Sequence, residues 1–237
     1  LASVDVTGKN NVGGFIGSAN RSAPIENVTL TDVDIAGDDK IGGLVGDSNS
    51  NVTNVAVDGT VHGDDKVGGA IGEHSDGNVT DSTATVSATI TGEYVGGLVG
   101  YVSRSSASIV SSHAHGDVTG EGTDSDNNVD GIGGLVGDFY GDSIIDSSAS
   151  GNVTGNSSII NEIGGLVGIY EGSGNITNSS ASGDVLGHFK EVGGLVAELE
   201  SGSIVDSHAT GNVTVVYEHN TSDDDPEEIG GLVGKFE

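Results

Sequence analysis

IGGLVG at residues 132–137 decides the fold, because the same six-residue phrase keeps returning along the chain. It appears as VGGFIG from Val12, IGGLVG from Ile41, VGGAIG from Val67, VGGLVG from Val95, IGGLVG from Ile163, VGGLVA from Val192 and IGGLVG from Ile229. The glycine pairs open at 13, 42, 68, 96, 133, 164, 193 and 230, so successive copies lie 29, 26, 28, 37, 31, 29 and 37 residues apart. That period belongs to stacked repeats, in which one small unit buries its apolar face against the next copy.

Each copy is followed by two more segments. SIIDSSAS from Ser143, NITNSSAS from Asn175 and SIVDSHAT from Ser203 run into GNVTG from Gly151, GDVLG from Gly183 and GNVTV from Gly211. In GNVTG the valine alternates with polar neighbours, as a strand with one buried face requires. Three short strands and three turns per period predict an all-β fold, a triangular parallel β-solenoid (β-helix) of about eight coils. At sheet spacing this gives a rod about 35 Å long. Residues 1–237 read as one solenoid domain, with insertions at 120–131 and 217–228 just before a glycine phrase. LASVDVTG at the start and the strand at Lys235 place both ends part-way through a coil, which predicts a longer polypeptide or end-to-end stacking.

Composition supports the reading. Four Phe, five Tyr and no Trp or Met leave Val, Ile, Leu and Ala to line the interior, and 42 Gly with two Pro favour short strands and tight turns. No apolar run approaches the roughly 20 residues of a membrane-spanning helix. With no cysteine, disulfides contribute nothing, and with no starting Met or cationic apolar leader the chain reads as a mature or excised segment. Thirty-six acidic residues against seven Lys and Arg give a formal net charge of −29. Such a surface repels nucleic acid and anionic lipid, and it suits strong salt, where the screening length falls from ~10 Å to roughly 3 Å.

The phrase [VI]GGL[VI]G, followed by a polar turn and an S-x-[AS]-x-G segment, resembles the GLUG-motif repeats of bacterial and archaeal surface proteins. The acidic, lysine-poor surface is similar to those of halophilic archaeal proteins. Phe15, Ala70 and Ala197 depart from the phrase. The resemblance implies an extracellular, cell-surface scaffold of adhesin type with no catalytic residues of its own, and it names no ligand.

Adjacent apolar residues cannot both point inward on a regular strand. One member of each pair Leu44/Val45, Leu98/Val99, Leu135/Val136 and Leu166/Val167 is therefore expected outside, forming an apolar interface ladder, unless the glycines bend the strand. Alternatively Tyr101, Phe139, Tyr140, Tyr170 and Phe236 fold back over that ladder. In the first long insertion Asp124, Asp126, Asn128 and Asp130 alternate as hard oxygen donors, the set a Ca²⁺ ion would take. The insertion lacks the central glycine and terminal glutamate of a calcium loop, so a solvated acidic loop is the competing reading and no cofactor is required. His113 and His208 share a repeat phase three coils apart, about 14 Å, and His113 with His115 supplies only two ligands, which argues against zinc. Sequons at Asn152, Asn175 and Asn212 follow from strand alternation, whereas those at Asn20, Asn156 and Asn220 fall in turns or insertions and are the glycosylation candidates.

The expected function is a structural or adhesive repeat module of a cell-surface or filament-forming glycoprotein, assembling by stacking or lateral contact, with self-association or a longer chain as partner. A glycan- or receptor-binding segment of a surface or viral tail fibre is the alternative. A polysaccharide-cleaving β-helix enzyme is disfavoured, since two Arg and no Trp leave little of the machinery such sites need.

Overall fold

The computed structural model describes residues 2–21, 23–122, 129–157, 160–188, 190–216 and 228–237. Among these, every regular element is a β-strand and every strand pairing is parallel. Eight glycine phrases stack to bound about seven turns of a right-sized solenoid coil, with no helix in the described residues.

The phrase divides at its glycine pair. The residues before it form an eight-stranded leading sheet that includes Asn10–Gly13, Asp39–Gly42, Ile160–Gly164 and Ile229–Gly230. The residues after it form an eight-stranded trailing sheet that includes Ile16–Ala19, Val45–Ser48, Val167–Tyr170 and Val233–Phe236. A narrow seven-stranded sheet of two- or three-residue strands, such as Ile144–Ile145, then leads into a 12-stranded sheet. That last sheet is continuous in the early coils, as in Thr83–Ile90, and is split in later ones, as in Ser148–Ala149 and Val153–Gly155. Three strands per coil fit, joined by the narrow bridge. The cut falls inside the glycine phrase, while the second and third sequence segments share one face.

The register places like on like. Val12, Ile41, Val67, Val95, Ile132, Ile163, Val192 and Ile229 form one column, and Ile16, Val45, Ile71, Val99, Val136, Val167, Val196 and Val233 form another. Their inner members are fully buried, each worth about 1.5–3 kcal/mol of hydrophobic stabilisation.

Two polar columns run beside this core. Ser82, Ser112, Ser147 and Ser179 are buried, and each backbone N–H donates to the serine hydroxyl of the next coil at 3.0–3.2 Å. Each of these hydroxyls in turn donates to the carbonyl two residues earlier, which satisfies the ladder internally. Asn27, Asn54, Asp81, Ser111, Asp146, Asn178 and Asp206 hold the left-handed corner into the long sheet, with φ of 48–57°. Short polar side chains are the non-glycine residues that tolerate that conformation.

Candidate functional site

The glycine corner brings the two flanks of each phrase together, so that residues seven apart in sequence face one another. In the second coil Lys40 Nζ lies 3.5 Å from Asp47 and 3.0 Å from Glu73 of the next coil. In the fourth, Tyr94 and Tyr101 stack with ring centroids 5.3 Å apart. In the seventh the same two positions are Glu191 and Glu198, and Glu162 of the preceding coil joins them.

Glu162, Glu191 and Glu198 each direct one carboxylate oxygen into a cluster whose members all lie within 4.8 Å of one another. Glu191 and Glu198 are 8% and 7% exposed. Lys235 Nζ reaches Glu191 Oε1 at 3.5 Å, donates to Glu198 Oε1, and also contacts Glu237 at 2.9 Å. Glu162 Oε2 and Glu191 Oε2 are buried and accept no hydrogen bond from the described residues. Burial pushes the Glu162 carboxyl well above the usual range, and the neighbouring Glu191 pushes it further. Burial also raises Glu191, with Glu198 and Glu228 adding repulsion and Lys235 opposing it. A hydrogen bond between Glu162 and Glu191 exists only when one of them keeps a proton, because two carboxylates have no donor to share. The arrangement can therefore hold a proton or a hard cation.

The sequence did not single this cluster out, although its signal is there: glutamate recurs at the same phase in 162, 191 and 228. The set expected to take calcium is not assembled here. Asp124, Asp126 and Asn128 lie outside the described residues, and Asp130 is half-buried, its carboxyl raised by burial and by Glu93.

Leu44, Val45, Leu98, Val99, Leu135, Val136, Leu166 and Val167 are all 0% exposed, which corrects the expected outward ladder. The reason is the bend. The amides of Leu135 and Val136 both donate to the Leu166 carbonyl, and those of Leu166 and Val167 both donate to Leu195, so strand alternation is interrupted and both side chains turn inward. The aromatic residues do not form a cover either. Phe139 and Tyr170 stack inside the core at 5.2 Å, where glycines 141 and 172 leave room for the rings, while Tyr140 and Phe236 stay exposed.

His113 and His115 accept or donate at Nδ1 to Ser148 and Ser150 of the next coil, at 2.9 and 2.8 Å, and no third metal ligand joins them among the described residues. Asn20 and Asn156 are exposed, whereas Asn220 lies outside the described residues. A polar recess of about 220 Å³ is lined by Arg21, Asn49, Ser50, Asn51, Asp76 and Gly77, with Arg21 paired to Asp76.

This geometry of bent phrases in register agrees with what comparison with known proteins finds. The GLUG motif matches residues 91–119, 160–186 and 191–214. The chain carries GLUG-motif repeats. It is also 38% identical over 150 residues to halomucin of Haloquadratum walsbyi, an alignment that covers 60% of this chain and 2% of that protein. No solved structure matches. No helix in the described residues is long and apolar enough to cross a membrane.

Proposed function

We propose that these GLUG-motif coils form a structural module of an extracellular, cell-surface protein, and that the module extends by stacking coil upon coil. The observation that carries this reading is the state of the last coil. Ile229, Leu232 and Phe236 are 46%, 39% and 69% exposed, although the same columns one or two coils inward are buried. Phe15 is 48% exposed in the first phrase. An apolar column that ends in open strand edges is complementary to another coil and to little else. The likeness to halomucin, of which the aligned stretch is a small fraction, supports a repeat unit within a larger surface assembly of a salt-adapted organism.

The role is that of a non-catalytic scaffold with adhesive or filament-forming contacts, and glycans at Asn20 and Asn156 are compatible with their exposure. Electron microscopy and sedimentation in molar salt test it. The 237-residue chain is expected to form rods longer than one unit, and Leu232→Asp with Phe236→Asp is expected to shorten them without unfolding the coil. Dispersed single particles that hydrolyse surface polysaccharide would overturn the reading.

A further inference from the structure

We infer that Glu162, Glu191 and Glu198 form a binding site for a divalent cation of the calcium type, clamped between two successive coils. The inference goes beyond the scaffold role and does not depend on it.

Three observations converge. The first is spacing. Oxygens on opposite sides of a Ca²⁺ ion with bonds of about 2.4 Å are at most about 4.8 Å apart, and the three carboxylate oxygens fall within that limit. Mg²⁺, with bonds of 2.0–2.1 Å, spans only about 4.2 Å, so the cluster favours the larger ion. The second is an unanswered buried group. Glu191 is more than nine-tenths buried, and its Oε2 turns towards the cluster with no hydrogen-bond donor among the described residues, as does Glu162 Oε2. A carboxylate taken out of water without donor or counter-charge is costly, so the cluster requires something positive between its members.

The third is charge and contrast. Lys235 is the ammonium in contact with the cluster, and it is shared with Glu237 on the outer side. Three carboxylates against one ammonium leave a local charge of −2, with Glu228 adding a further carboxyl beside Glu191. Elsewhere in the same corner the gap is filled by the protein itself, through Lys40 between Asp47 and Glu73, or through the Tyr94–Tyr101 stack. At Glu162 and Glu191 no such filler is present among the described residues. A divalent ion there would tie the coil of Glu162 to that of Glu191 and Glu198, with water completing its shell from the half-buried Glu162 side.

The test uses the whole 237-residue chain, freed of metal with chelator, at constant high ionic strength so that general screening is held fixed. Calorimetric titration with CaCl₂ is expected to show one saturable site, with a raised melting temperature and a weaker response to MgCl₂. Glu162→Gln and Glu198→Gln each remove one of the chain's 36 acidic charges, so a diffuse ion atmosphere would barely notice them. Both variants are expected to fold and to bind Ca²⁺ at least tenfold more weakly. If the wild-type chain shows no saturable calcium binding, or if the variants bind as it does, the site is overturned and the cluster is held by a shared proton and Lys235.

Discussion

At the residue scale, Asp138 shows how much a position in the stack can ask of one side chain. It sits in register between Tyr101 and Ile169, is 5% exposed, and its Oδ1 has no partner among the described residues. Burial pushes its carboxyl up to about 8, with Glu171, Glu200 and Asp130 adding repulsion. Between an unfolded value near 4 and that folded value, the native chain holds one more proton than the unfolded chain, so stability is full at low pH and falls as pH rises through the window. The slope is about 1.4 kcal/mol per pH unit for a single group. Asp138→Asn keeps the shape of the neutral acid, and we expect it to raise stability at pH 7–8 by a few kcal/mol and to flatten the dependence. Denaturation at fixed molar salt across pH 4–9 measures this, and an unchanged slope would count against a protonated Asp138.

At the element scale, the glycine pair does two jobs. It bends the phrase so that two adjacent apolar side chains enter the core, and its second member permits coils to approach. A Cβ on glycine 165 would lie 2.1 Å from the Gly194 carbonyl of the next coil, and the inner copies repeat that clash at 2.1–2.3 Å. Gly231, in the last coil, would meet nothing within 4 Å. Gly165→Ala is therefore expected to cost at least about 3 kcal/mol or to prevent folding, since backbone on both sides must yield. Gly231→Ala in the same chain is expected to stay within about 0.5 kcal/mol. Chemical denaturation of the two variants checks the pair. Equal costs would mean that the clash is relieved by local adjustment rather than by coil separation.

At the scale of the whole molecule, stability rests on a narrow apolar column surrounded by a formal charge of −29. Repulsion among those charges reaches ~10 Å at 0.1 M salt and about 3 Å at 1 M, so the folded rod gains from brine. We expect the melting temperature to rise steeply between 0.1 and 2 M KCl, whether or not calcium is present. Full stability in dilute buffer would show that the column outweighs the charge without screening.

The recurring phrase, its period and the alternation in GNVTG were enough to determine a parallel stack, its coil count and its Val and Ile lining, because these depend on local periodicity repeated along one axis. The acidic excess was equally legible, since charge needs no geometry. What tertiary structure alone decided was where the chain bends. Leu135 and Val136 read as a strand with one outward face, yet two amides converging on one carbonyl turn both inside. The corner that results sets Glu191 against Glu198 and draws in Glu162 from the coil before, a meeting that depends on the bend angle and the coil spacing together. Neither quantity is written in any single repeat, so the stack was readable and the cluster within it was not.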